Sequence, residues 1–199
     1  MQIITIDFET YYDKKFSLSK LTTEEYIRDE RFEVIGFCVK QGGGEEKWYA
    51  GDVTYLQRVL LSYNWKESFC LAHNTMFDAA ILSWKFNIRP FGWLDTLSMA
   101  RALHGTEVGG SLKRLSEYYE IGEKGTEVLE AIEKRRVDFT DEELQAYGEY
   151  CKNDVELLIT VYRGLDKYLR EILEIDVFKF LTANMISHYG FMKNIPKEL

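Results

Sequence analysis

The first ten residues, Met-Gln-Ile-Ile-Thr-Ile-Asp-Phe-Glu-Thr, constrain the fold more than any other stretch. Ile3, Ile4, Thr5, Ile6 and Phe8 are the β-branched and aromatic residues of a buried strand. A strand covered on both faces reads as a continuous apolar run, and this one does so until position 7. Asp7 and Glu9 then arrive two residues apart. Strand side chains alternate faces, so both carboxylates leave on one side, at the strand's end. Two negative charges at the edge of a core repel each other and lose hydration. Either the strand runs out into solvent there, or a hard divalent cation with oxygen ligands compensates the pair.

A chain of 199 residues suits one domain with a sizeable core, and the 46% hydrophobic and 15% aromatic fractions indicate a globular fold. No stretch is long and apolar enough to span a bilayer, so no membrane partner is expected. The N-terminus lacks the basic head and uninterrupted apolar middle of a signal peptide. Cys38, Cys70 and Cys151 are odd in number, have no CxxC spacing, and read as reduced core residues of a cytoplasmic protein. The net charge of −8 argues against non-specific nucleic-acid binding across the whole surface but leaves room for a local cleft.

Along the chain, Thr22 or Thr23 caps a short helix through Ile27, and Phe32 to Val39 reads as a second strand. Gly42-Gly43-Gly44 turns the chain into a third strand, Lys47 to Ala50, and Asp52 caps the next helix. Phe69 to Ala72 is a fourth strand followed by a helix from about Met76 to Phe86. Trp93-Leu94 is a fifth strand, with Asp95 or Thr96 capping the helix after it. Ser111 opens another helix, and Glu127 to Arg136 reads as a charged one. Thr140-Asp-Glu-Glu143 has capping-box spacing and opens the longest helical pattern, to about Glu174. A three-strand meander followed by strands alternating with helices predicts an α/β fold, a mixed sheet with helices on its faces. Residues 1–175 form the expected domain, and 176–199 a helical extension of unclear role.

Two further stretches bear on the carboxylate pair. Leu71-Ala-His-Asn-Thr-Met-Phe-Asp78 spans a strand-to-helix junction and places Asp78 in a first helical turn, where the helix dipole favours an anion with or without a ligand. Tyr147-Gly-Glu-Tyr-Cys-Lys-Asn-Asp154 lies in the long helix. Tyr150 and Asp154 share a face there, among the mostly apolar Tyr147, Cys151, Leu158 and Val161. A carboxylate on that stripe is costly unless partnered.

D-x-E on the first strand, H-N-x-x-F-D after a later strand and Y-x-x-x-D on a helix resemble the three motifs of the DEDD exonuclease superfamily, the tyrosine marking its DEDDy branch. The stretch from Met1 to about Val161 resembles the proofreading domain of family A DNA polymerases, especially those of phages. Asp7 to Tyr12, Arg31 to Gly36, Leu94 to Ala100 and Gly109 to Lys113 strengthen the match. The histidine branch would need His five residues before Asp154, where Glu149 stands; His104 and His188 lie elsewhere.

The resemblance implies an RNase H-like mixed five-stranded sheet flanked by helices and two divalent ions, Mg2+ with Mn2+ able to substitute. Asp7 would bridge both ions, Glu9 and Asp154 would complete the first site, and Asp78 would hold the second. Tyr150, with Glu9, would orient the attacking water. Thr10 and Asn74 would contact the terminal nucleotide, with Phe77 nearby. The activity implied is 3′→5′ hydrolysis at single-stranded DNA ends, releasing 5′-mononucleotides, in proofreading or DNA processing. A DNA polymerase domain or subunit is an implied partner. An RNA 3′-end-processing nuclease and a non-catalytic binding module are the alternatives. Lys113, Arg114, Lys134, Arg135 and Arg136 would contact phosphate or remain solvated surface charges.

Overall fold

The computed structural model describes residues 2–105, 107–122 and 131–171. Strand β1 (Gln2–Thr10) occupies the middle of a five-stranded sheet ordered β3-β2-β1-β4-β5. Strands β2 (Val34–Gln41) and β3 (Lys47–Ala50) continue it as an antiparallel meander. Strands β4 (Ser68–Ala72) and β5 (Gly92–Asp95) add on the other side in parallel. The mixed sheet expected from the order of elements is the one observed.

Alternation along β1 decides what each face becomes. Ile4, Ile6 and Phe8 enter one core with α1 (Thr23–Arg28), α2 (Val53–Leu61) and α3 (Thr75–Ala80). The opposite face lies under α6 (Asp141–Glu171), which packs on β1, β2 and β3 and on α4 (Thr96–His104) and α5 (Leu112–Tyr119). Leu71 and Leu94 meet Met99, Leu115, Leu158 and Val161 in that second core. Asp7 and Glu9 point to the α6 side.

Local signals chose the helix starts. Thr22 caps α1 in a reciprocal box with Glu25, settling the choice between Thr22 and Thr23. Asp95 caps α4 through Leu97 N, and Thr140 and Glu143 form the box expected before α6. Strand β2 begins at Val34, two residues later than the hydrophobic pattern suggests, and runs on to Gln41. The helix after β4 begins at Thr75 and widens into a π turn at Ile81–Lys85.

The charged helix expected over Glu127 to Arg136 is not seen in its described part. Glu133 has φ 66°, which a right-handed helix cannot carry through, and Arg136–Asp138 is a single 3-10 turn. Glu133 N donates instead to Tyr12 O at 2.9 Å, tying this segment to the exit of β1. Residues 127–130, the helical run expected from 172 to Glu174 and the extension expected from 176 lie outside the described residues.

Close approach between α6 and the sheet depends on glycine. A Cβ at Gly148 would lie 2.4 Å from the Trp48 ring of β3, and one at Gly36 of β2 would lie 2.5 Å from the same ring. Both backbones therefore pack against Trp48, which brings Tyr147, Tyr150, Cys151 and Asp154 onto β1.

Candidate active site

Three segments converge at the C-terminal end of β1. Asp7 is half-buried and Glu9 is 8% exposed. Glu9 sits opposite Gly36, just before a register shift in the β1–β2 pairing. Tyr147 donates its hydroxyl to Glu9 Oε2 at 2.6 Å. Cys151 Sγ lies 3.6 Å from Asp7 Oδ2 and 3.5 Å from the Asp7 carbonyl oxygen. Ligand atoms of Asp7, Glu9 and Cys151 all fall within 4.8 Å of one another.

The second segment is the turn between β4 and α3. Asp95 Oδ1 accepts from Asn74 N at 2.9 Å and Thr75 N at 3.2 Å, while also capping α4. Thr75 Oγ1 donates to Leu94 O at 2.7 Å, and Asn74 takes the left-handed conformation at φ 62° that asparagine tolerates. This anchored turn sends Asp78 inward, where it is 2% exposed and its Oδ1 accepts from Phe8 N at 3.3 Å. Burial, reinforced by the charge of Asp7, pushes the Asp78 carboxyl well above the usual carboxylate range.

The third segment is α6. Asp154 is 4% exposed and shares a side-chain hydrogen bond with Tyr150. Burial, followed by the charges of Asp154 and Glu9, raises the Tyr150 phenol far above its ordinary range, so it remains a donor at neutral pH. Burial also keeps Cys151 a neutral thiol beside Asp7. Donors at the cluster thus include a backbone N–H, two phenols and a thiol, all neutral. They orient the carboxylates without cancelling their charge.

Asp7, Glu9, Asp78 and Asp154 are all hard oxygen donors: Asp7 and Glu9 lie within 4.8 Å of each other, the charge of Asp7 acts on Asp78, and Asp154 adjoins Tyr150. Such a donor set fits magnesium or manganese and does not suit a thiolate-preferring metal.

Thr10 and Phe77 both meet Tyr26, and Phe77 N donates to Asn74 O at 2.9 Å. Thr10 Oγ1 is 2.9 Å from the Tyr26 hydroxyl, and the Phe77 ring lies 6.1 Å from that of Tyr26. Tyr26 donates a short hydrogen bond to Tyr11 O. The basic residues are committed elsewhere or exposed. Arg135 pairs with Glu33 at 2.9 Å and stacks on Tyr11, Lys134 pairs with Glu143 at 2.6 Å, and Lys113 and Arg114 are exposed on α5. His104 is bonded to Tyr119 at 2.6 Å, away from the carboxylates. Sequence reasoning passed over Tyr147, Cys151 and Asp95. Tyr147 and Cys151 looked like apolar stripe, and Asp95 like a cap alone. The available signal was Tyr147 and Cys151 repeating the four-residue spacing of Tyr150 and Asp154.

A family model described as 3′-5′ exonuclease matches residues 22–170, and the chain belongs to this 3′-5′ exonuclease family. The match takes in Asp78, Tyr150 and Asp154 and begins after Asp7 and Glu9. Enzymes of this family hydrolyse phosphodiester bonds with a divalent metal. No curated protein matches the chain by sequence.

Solved structures share the fold. NrnC of Brucella melitensis superposes with a TM-score of 0.60 at 16% identity, over 96% of this chain and 81% of that chain. Further structures of NrnC are described as bound to pGG and with bound Mg2+. RNase D of Escherichia coli, described as an exoribonuclease involved in structured RNA processing, gives a TM-score of 0.57 at 15% identity, over 99% of this chain and 45% of that chain. The family B DNA polymerase of Pyrobaculum calidifontis gives 0.59 at 14% identity, over 84% of this chain and 25% of that chain. The chain thus spans under half the length of the latter two. The sheet with its flanking helices is RNase H-like. Among the described residues, no helix is long and apolar enough to cross a membrane.

Proposed function

We propose that this domain, residues 1–175, removes 5′-mononucleotides stepwise from the 3′ end of single-stranded DNA in the cytoplasm, in proofreading or DNA processing. The observation that carries the proposal is the pairing of Asp7 and Glu9 within 4.8 Å at the end of β1, with Asp154 and Tyr150 of α6 beside them and the buried Asp78 facing Asp7. Asp7, Glu9, Asp78 and Asp154 would hold two Mg2+ ions, with Mn2+ able to replace them. Bound there, such ions would activate water and stabilise the departing 3′ oxygen.

The chain's own residues supply orientation. Tyr150 is a protonated phenol beside Glu9 and Asp154, placed to position the attacking water while Glu9 accepts its hydrogen bond. Water adds to phosphorus as the bond to the 3′ oxygen breaks, and a proton returns to that oxygen. Thr10 and Asn74 line the space for the terminal nucleotide, and Phe77 supplies an aromatic surface on which any base can stack. A few single-stranded nucleotides in a local cleft need no basic surface overall, which fits a net charge of −8. A DNA polymerase domain or subunit is the partner this reading favours.

RNA is the second reading, favoured by the RNase D described as an exoribonuclease that shares the fold. Sugar choice turns on the shape of the pocket around a 2′-hydroxyl. Matched DNA and RNA oligonucleotides, labelled at either end and incubated with Mg2+ or chelator, separate the two. The expected result is chelator-sensitive, stepwise shortening of the DNA from a free 3′ end, with mononucleotide product. Faster RNA decay would replace DNA by RNA, and efficient cutting of circular single strands would overturn the exonuclease assignment.

A further inference from the structure

Tyr147 lies one helical turn before Tyr150, and the chemistry outlined above does not use it. Its hydroxyl nevertheless reaches Glu9 Oε2 at 2.6 Å, the length of a charge-assisted O–H···O⁻ bond. Both partners are nearly covered, with Tyr147 3% and Glu9 8% exposed, so water competes little for either. The ring is fixed from several sides. Phe139 stacks on it at 5.5 Å and 6°, Tyr150 at 6.2 Å and 21°, and Trp48 meets it edge-on at 6.1 Å. Gly148, the next residue, presses the helix against that same Trp48.

The bond belongs to a matched set. Cys151, four residues on, meets Asp7 through Sγ at 3.6 Å. Four residues of helix advance about 6 Å and two residues of strand about 6.8 Å, so the helix donors and strand carboxylates stay in step. Glu9 has a longer side chain than Asp7, with one more torsion to freeze, and it receives the stronger donor.

We propose that Tyr147 is a positioning residue: by holding one oxygen of Glu9 it fixes the rotamer that presents this carboxylate, beside Asp7, to a divalent cation, so that metal affinity depends on Tyr147. The inference rests on the exonuclease reading of the site. It differs from a packing role because it predicts a change in metal dependence, not only in stability. Outer partners that orient a metal-binding side chain are typically worth about 10–100-fold in metal affinity or activity.

The test is Tyr147→Phe, which keeps the ring and its stacking and removes the hydroxyl. Mn2+ binding without substrate is read by titration calorimetry, and the Mg2+ dependence of single-turnover hydrolysis of a 3′-labelled DNA or RNA strand is read in parallel. We expect the dissociation constant and the half-saturating Mg2+ concentration both to rise about 10-fold. At saturating Mg2+ the rate should return to within about threefold of the unsubstituted protein. A lower melting temperature with unchanged Mn2+ affinity and Mg2+ half-saturation would mean that Tyr147 only packs, and would overturn the proposal. Should Tyr147→Phe not fold, Phe139→Leu, which leaves the hydroxyl but frees its ring, is read the same way: a raised metal requirement supports the proposal and an unchanged one overturns it. Failure of the unsubstituted protein to bind Mn2+ or to hydrolyse either strand overturns the metal-dependent nuclease reading, and this inference with it. Normal metal binding by the unsubstituted protein, unaltered in the variant, overturns this inference alone.

Discussion

Tyr150 and Asp154 stand four residues apart on one helix face, share a hydrogen bond and have different proposed tasks. Asp154→Ala removes a proposed metal ligand and should abolish most single-turnover activity. Tyr150→Phe removes one hydroxyl whose proposed positioning task Glu9 would share. It should leave measurable hydrolysis, with a loss at or below the roughly 10²–10⁴-fold of an essential positioned group. Equal, full activity in both variants would place the chemistry elsewhere. Asp78 makes the opposite point about stability. Its carboxyl is held above the usual range by burial and by Asp7, so in metal-free protein the charged form opposes folding. Metal-free stability should therefore fall as pH rises above the ordinary carboxylate range. Asp78→Asn keeps an oxygen for Phe8 N and removes the charge, so it should raise the metal-free melting temperature at pH 7. The same change should end catalysis. A lower melting temperature would contradict the charge argument.

The contact between α6 and the meander is controlled by Gly148 against Trp48. Gly148→Ala places a methyl 2.4 Å from the near edge of a rigid ring, so either Trp48 or the helix must shift. Overpacking of this kind costs roughly 1–3 kcal/mol. Because Tyr147 and Cys151 flank this contact, we expect hydrolysis to fall further than stability alone accounts for, which melting curves and rates on one preparation would show. At this scale much was legible in the sequence. The β1 run, the Asp52 and Thr140 caps and the 3.6-residue stripe of α6 each carried a local signal strong enough to fix an element. Tertiary bonds left no such signal. Glu133 adopts a left-handed conformation while tied to Tyr12 O, and its charged neighbours read as helix in isolation. The carboxylates could be named because motif spacing records them, and their convergence follows from strand alternation and helix phase. Tyr147 was hidden because an aromatic on an apolar stripe looks the same whether its hydroxyl is used or not.

For the whole molecule, metal should act as a structural ligand as well as a reactant's partner. Binding only to the folded state adds about 2.7 kcal/mol when free metal is 100 times its dissociation constant. Mg2+ or Mn2+ should therefore raise the melting temperature and chelator should reverse it; no shift with either ion would refute the two-ion arrangement. The site is also spread widely along the chain: Phe8 meets Asp78 across 70 positions and Glu9 meets Tyr147 across 138. At 5–20 residues per second, a ribosome makes Tyr147 roughly 7–30 s after Glu9. Through that interval β1 is an apolar strand whose covering helix does not yet exist. Asp7 and Glu9 interrupt it with like charges, which discourage pairing with a neighbouring nascent chain. Asp7→Asn combined with Glu9→Gln should accordingly scatter more light during refolding than the unsubstituted protein, even if the finished molecule melts higher. The carboxylates proposed to bind metal at the end of folding would then act as gatekeepers against aggregation at its beginning.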